Sequence, residues 1–172
     1  VVPPTLTAAR VRVRALTLAD ASFIVELLND EAFVQNIGDR GVRTEADAQT
    51  YLTAAPLASY ARHGFGLCAV ELTERAVPIG VCGLLQREEL AYPDLGFAFL
   101  AAYRSRGYAR EAAAAVMADA RARLELDTLM AIVNPANAAS IRLLERLGFV
   151  FERPMRLHTE ADDLQLFVAR IW

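Results

Sequence analysis

Residues 103–116 read YRSRGYAREAAAAV, an arginine-rich turn that runs straight into a helix-forming stretch. A helix start presents backbone N–H groups without intrahelical partners and the positive end of the helix dipole, and both favour an anion. Gly107 permits the tight bend that brings those groups close to a ligand. Arg104 and Arg106 add planar guanidinium donors suited to phosphate oxygens. The first charged residues here are basic, which is unfavourable beside the dipole unless an anion is bound. The competing reading is two solvated arginines in a loop. The segment matches neither G-x-G-x-x-G nor G-K-[ST], so on its own it leaves both readings open.

The flanking sequence sets the fold. Residues 10–16 alternate charged and apolar, the period of a half-buried strand. Asp20 is read as the cap of a short helix with Phe23, Ile24, Leu27 and Leu28 on its apolar face. NIGDRGVRT is a loop, and Thr44 opens a second helix to about Arg62, strained near Pro56. Strands are expected at 65–72, 78–87 and 94–100, with links short enough for antiparallel pairing. A helix follows from about Gly107 to Leu126, its buried face carrying Ala113, Val116, Met117, Ala120 and Leu124. TLMAIV (128–133) is a short strand, and further strands lie at about 149–153 and 163–170. This order predicts a mixed sheet with helices packed on it, in one domain spanning 1–172 without a proline- or glycine-rich linker.

Between those strands lies NPANAASIRLLERLGF (134–149). Asn134 and Pro135 suit a cap and first helical position. Asn137 and Ser140, three apart, share one face of the first turns. Ile141, Leu144, Leu147 and Phe149 form the buried side, and Gly148 stops the helix. Taken singly, Asn137 reads as a tolerated residue near a helix start and Ser140 as a solvated hydroxyl.

The two segments together resemble the GCN5-related N-acetyltransferase family: R104-x-x-G107-x-A109 opening a helix after DLGFAFL, then N-P-x-N137-x-x-S140 with G148-F149 downstream. The match is closest to its RimJ/RimL-like branch, whose first strand and helix RVRVRALTLADA resembles and whose last strand DDLQLFVARIW resembles. The resemblance implies an α+β fold with a central mixed, mostly antiparallel sheet of about seven strands. That sheet would splay between the fourth and fifth strands, with about four helices flanking it and a bulge in the fourth exposing backbone groups. It implies acetyl-coenzyme A as cosubstrate. Phe99, Leu100 and Ala101 would pair with the pantetheine arm. Arg104, Ser105, Arg106, Gly107, Tyr108, Ala109 and Arg110 would wrap the pyrophosphate, and Asn137 would bond the pantetheine or thioester end.

The reaction is attack of a deprotonated amine on a thioester. A strand N–H near Phe99 or Leu100 would stabilise the oxyanion. Many family members carry a tyrosine four residues after the Ser140 position to protonate the leaving thiolate, and this chain has Leu144 there. The RimL-like branch that the chain resembles often has a serine at the Ser140 position instead, so the resemblance makes Ser140 the expected proton donor. Asp94, at the start of the fourth strand, is the candidate base. A turn aspartate is its bland reading, and a water chain ending on Asp94, Glu71 or Glu88 fits equally. His63 and His158 have no evident partner in the sequence. The acceptor, a protein N-terminus or a small amine, would be selected by residues 29–62 and 153–163, including the acidic run Glu160, Asp162 and Asp163.

Bulk properties narrow the remaining classes. A net charge of −3 argues against nucleic acid, which demands a basic face. All 18 basic residues are arginine. The apolar runs are too short for a membrane span of roughly 20 residues. The first residues show no secretory pattern, so a cytoplasmic protein, monomer or homodimer, is expected. Cys68 and Cys82 read as buried free thiols, and no ligand spacing suggests a metal. The alternative function is an acyl-coenzyme A sensor or partner module that has lost transfer, to which Leu144 gives a foothold.

Overall fold

The computed structural model describes residues 1–158 and 162–172. Its frame is one eight-stranded sheet in the order β1-β2-β3-β4-β5-β6-β8-β7. The strands are β1 (Leu6–Thr7), β2 (Val11–Ala15), β3 (Leu67–Leu72), β4 (Pro78–Leu85), β5 (Asp94–Phe99), β6 (Thr128–Val133), β7 (Val150–Met155) and β8 (Leu164–Arg170). The helices are α1 (Ala21–Leu28), α2 (Glu31–Asn36), α3 (Glu45–Leu52), α4 (Ala58–His63), α5 (Tyr108–Ala122) and α6 (Ala138–Arg146). Every strand pair is antiparallel except β5–β6, which is parallel.

The splay follows from how little joins those two strands. Their register holds one pair, Asp94 with Met130, and Met130 N–H donates to the Pro93 carbonyl at 3.0 Å. Beyond it β5 stays with β4, from Leu85↔Asp94 to Gly80↔Phe99, while β6 pairs along its whole length with β8. In an antiparallel pair, successive residues point their backbone groups to alternate neighbours. Pro93 faces β6, and Leu100 N–H donates to the Ile79 carbonyl of the β4 segment at 2.9 Å. Leu95, Phe97 and Phe99 therefore turn their peptide groups into the gap. The expected bulge in this strand is not what opens it: the β4–β5 register is unbroken, and divergence alone exposes the edge.

Alanine-rich α5 lies on one face across β2, β4 and β5. Its buried residues Ala112, Ala113, Val116 and Ala120 let the helix approach the sheet closely. On the other face α1 and α3 bury Ile24, Leu27, Leu28, Ala48 and Leu52 against Ala69 and Val81. Burial of each large aliphatic side chain contributes about 1.5–3 kcal/mol, so both layers hold the sheet.

Several local expectations are corrected. β1 is an extra strand, a two-residue return formed where Ala8 N–H meets the Val11 carbonyl at 2.9 Å. Asp20 does not cap α1. It completes a capping box with Thr17 around a preceding short turn, and its carboxylate also receives Arg14. A helix, α2, precedes the predicted loop because Asp30 accepts from the N–H groups of Ala32 and Phe33. The helix expected from Thr44 to Arg62 divides at a π-helical turn, Thr53–Leu57, that holds Pro56. Proline lacks the N–H and would strike the carbonyl four residues back in an α-helix, so the turn widens. The helix expected to reach Leu126 ends its regular turns at Ala122. Finally, α6 starts a turn later than Asn134. The Asn134 side chain accepts from Ala136 N–H at 2.9 Å in a tight turn, and Asn137 is the cap.

Candidate active site

A cavity of about 310 Å³ occupies the gap between β5 and β6. Three predicted site residues meet there, Asp94, Asn137 and Ser140, together with β5 residues Leu95 to Ala98. Two parts of the splay deliver them: Asp94 is the residue of β5 that still pairs with β6, and the other two come from the helix that follows β6.

Asp94 is 1% exposed. Burial pushes its carboxyl up to about 6, against the opposing pull of the Arg87 guanidinium. Arg87 Nε donates to its two oxygens at 3.1 and 3.3 Å. A carboxylate poised close to neutrality can accept and release a proton at physiological pH. Burial dominates the charge partner here, which separates Asp94 from an ordinary salt-bridged aspartate. Glu71, an alternative base, is held instead by Arg12 and Arg14 on β2, at 2.9 Å each. Glu88 is exposed and does not line the cavity.

At the start of α6 the Asn137 side-chain carbonyl accepts from Ser140 N–H at 3.2 Å. The cap thus fixes Asn137 and Ser140 relative to each other on the cavity wall. Ser140 is half-buried on the cavity wall, and Leu144, one turn on, is buried beside it. Leu144 supplies packing where a tyrosine would bring a hydroxyl.

The predicted pyrophosphate loop lies apart from this cavity and is largely exposed. Phe99 ends β5, and Leu100 leads into a 3-10 turn at Ala101–Tyr103. Ser105 and Gly107 both hold left-handed backbone, φ +61° and +84°. Gly107 is the N-cap of α5 and offers no side-chain cap, so the first N–H groups of α5, at Tyr108, Ala109 and Arg110, point outward without a capping acceptor. Arg104 is not a solvated arginine. Its Nε donates to the Phe99 carbonyl at 2.9 Å and its terminal nitrogen pairs with Asp30, the residue that caps α2. Arg106 is exposed, and its carbonyl accepts from Arg10 at 3.2 Å.

Four contributors escape sequence reasoning. Arg10 lies 4.5 Å from the centroid of the Tyr108 ring and pairs with Glu111 in the first turn of α5 at 2.9 Å. The acidic residue a helix start usually carries is therefore present but committed to Arg10. Asp30 anchors Arg104, and Arg87 holds Asp94; only their charge beside an element end hinted at either. His63 stacks on Phe65 at 5.4 Å, and the His158 backbone N–H donates to Glu89 at 3.1 Å. Neither histidine lines the cavity.

The far cavity wall draws Phe33 of α2, Tyr51 of α3 and Leu157 from the segments expected to select the acceptor, and Ile24, Leu27 and Leu28 of α1 with Leu164 of β8 from outside them. Of the acidic run, Glu160 lies outside the described residues, and Asp163 pairs with Arg156 at 2.7 Å. Both cysteines are free and buried. Among the described residues no group of side chains could hold a metal ion, and no helix is long and apolar enough to cross a membrane.

Comparison with known proteins agrees with this architecture. A family model of the acetyltransferase (GNAT) domain matches residues 10–150, and the chain belongs to that family. It is similar over 96 residues, at 28% identity, to the uncharacterized protein YkkB of Bacillus subtilis (strain 168), the match covering 55% of this chain and 56% of the relative. The chain thus spans about half the length of that curated relative. An acetyltransferase structure from Agrobacterium tumefaciens str. C58 superposes with TM-score 0.81 at 26% identity, covering 97% of this chain and 94% of its own. RimL, a ribosomal L7/L12 alpha-N-protein acetyltransferase solved in complex with coenzyme A, shares the fold. It has TM-score 0.83 at 15% identity and 98% coverage of both chains.

Proposed function

We propose that the chain is an acetyl-coenzyme A-dependent N-acetyltransferase whose acceptor is a primary amine, on a protein N-terminus or a small molecule. The observation that carries this reading is the convergence of Asp94, Asn137 and Ser140 on one cavity at the point where β5 and β6 part. Acetyl-coenzyme A as cosubstrate is supported by family membership and by the coenzyme A complex of RimL.

The cosubstrate's pyrophosphate lies on the uncapped start of α5. The N–H groups from Gly107 to Arg110 receive its oxygens, and the exposed Arg106 and Arg110 add charge. Arg104 acts one step removed, holding the Phe99 carbonyl and tying the loop to Asp30. The pantetheine arm pairs with the gap-facing peptide groups of β5. Phe97 and Phe99 serve there rather than Leu100, whose N–H is already given to Ile79. The acyl carbonyl then sits against a gap-facing β5 N–H, which stabilises the charge that develops on its oxygen. The Asn137 amide orients the thioester end.

Asp94 accepts the proton of the incoming ammonium, directly or through one water, giving the free amine that attacks. The amine nitrogen forms the new bond to the acyl carbon, the C–S bond breaks, and the thiolate takes the Ser140 hydroxyl proton, which is replaced, directly or through water, by the second proton that the nitrogen sheds as it becomes an amide. Position supplies most of the acceleration, because the thioester arrives activated.

The test is a thiol-release assay with acetyl-coenzyme A across amines and peptides, with acetylated product identified by mass spectrometry. Amine-dependent release is expected. Tight coenzyme A binding without turnover of any amine would favour the sensor module.

A further inference from the structure

Resting on the coenzyme A-binding half of the acetyltransferase reading, we propose that Arg10, on the turn between β1 and β2, is a positioning residue of the donor site. It cancels the charge of Glu111 and so keeps the start of α5 open to the donor's diphosphate. Every contact of its guanidinium falls within residues 106–111. Nε pairs with Glu111 Oε2 at 2.9 Å, and Nη1 donates to the Arg106 carbonyl at 3.2 Å. The guanidinium carbon stands 4.5 Å from the centroid of the Tyr108 ring, a cation–π contact. Nη2 lies so near Gly107 that a β-carbon there would stand 3.1 Å from it.

The main chain fixes where this side chain starts. Arg10 N–H donates to Glu111 Oε1, and the Arg10 carbonyl accepts from Thr73 N–H at 3.0 Å and from Thr73 Oγ1 at 3.2 Å. Arg10 is thereby tied to α5 on one side and to the β3–β4 turn on the other. Because one guanidinium touches both Glu111 and Gly107, the two lie within one Debye length, ~8 Å at physiological salt. Left uncompensated, the Glu111 carboxylate would repel a diphosphate seated on the helix start and offset the pull of the helix dipole. An acidic residue in the first turn suits an empty helix start, but it opposes an anionic ligand there, and the Arg10 guanidinium removes that opposition. The backbone bond to Oε1 does not depend on the Arg10 side chain. Truncating that side chain therefore leaves the carboxylate in place with its charge exposed.

The test is calorimetric titration of coenzyme A into the whole chain as wild type, R10A, E111Q and the double variant R10A/E111Q, at low salt. R10A should bind about tenfold more weakly, the order expected of one like charge at this range. E111Q should bind at least as tightly as wild type, and the double variant should return to within about threefold of it. R10A and the double variant lack the same guanidinium contacts, so recovery in the double variant cannot come from restored packing. The deficit of R10A should also shrink to about threefold or less at roughly 0.5 M salt. A double variant as weak as R10A, E111Q weaker than wild type, or a deficit that ignores salt would each overturn the positioning role. Should R10A not fold, R10Q takes its place. The expected pattern in a chain that turns over no amine keeps this inference and sinks the transferase reading. Amine-dependent turnover with R10A binding as wild type does the reverse, and a wild type that binds no coenzyme A sinks both.

Discussion

The starts of α5 and α6 lie at the two ends of the proposed reaction path and are built in opposite ways. The α5 start has a left-handed glycine, no side-chain cap and outward-facing N–H groups, and its one acidic residue is drawn off to Arg10. The α6 start is closed by its own Asn137, whose carbonyl consumes the Ser140 N–H. An open start offers backbone donors and positive potential to an anion. A capped start has given those up and presents side chains at fixed angles. In the proposed mechanism two helices of one fold therefore divide the work: α5 would hold the charged end of the donor, and α6, with Asp94 opposite, would handle the thioester.

Four substitutions probe this division, from the largest effect to the smallest. Asp94→Asn should lower kcat/KM by about a thousandfold, within the range for a positioned general base. It should also remove the rise of kcat/KM with pH expected of the wild type through about 6, the value to which burial raises this carboxyl. The same shift acts on stability with opposite sense. A carboxyl raised above its usual value favours the fold while protonated, so its contribution is full at acid pH and declines as pH climbs from the ordinary carboxylate range through about 6. A wild-type pH–rate profile without a limb near 6 would take the base role away from Asp94.

Gly107→Glu imposes a left-handed backbone on a side chain and sets a carboxylate on the open helix start. Coenzyme A affinity should fall about a hundredfold, equivalent to about 2.7 kcal/mol. Ser140→Ala should leave coenzyme A affinity unchanged and lower kcat only about tenfold, because a thiolate with a pKa of about 8.5 departs adequately alone and faster with a proton donor. Unchanged turnover would assign that proton to water. Asn137→Ala should cost about 1 kcal/mol in urea denaturation and Asn137→Asp much less, since a carboxylate still caps the helix. Equal losses would mean the cap contributes nothing.

The sequence made the two helix starts legible because both rest on local signals: a glycine and arginines before an alanine run, and asparagines before an amphipathic one. The same locality misassigned the cap, since Asn134 and Pro135 fit a helix start as well as Asn137 does. Only the tight turn closed by the Asn134 side chain separates them. Arg104 read as a phosphate ligand or a solvated charge, and its partner Asp30 lies 74 residues away, beyond any periodicity. Asp94 was visible as a residue, but its raised pKa comes from burial where β5 leaves β6, a property of the assembled sheet. Of the α1–α2 wall only Phe33 and Ile37 fall in the segment 29–62 read from the sequence; the α1 residues Ile24, Leu27 and Leu28 lie before it, and the wall's apolar character emerges only when the two helices meet around one cavity.

Calorimetric titration of coenzyme A into wild type, Gly107→Glu and Ser140→Ala tests the division most directly. Ser140→Ala should bind as the wild type does, while Gly107→Glu binds about a hundredfold more weakly. Wild-type affinity in Gly107→Glu, or a parallel loss in both variants, would contradict it.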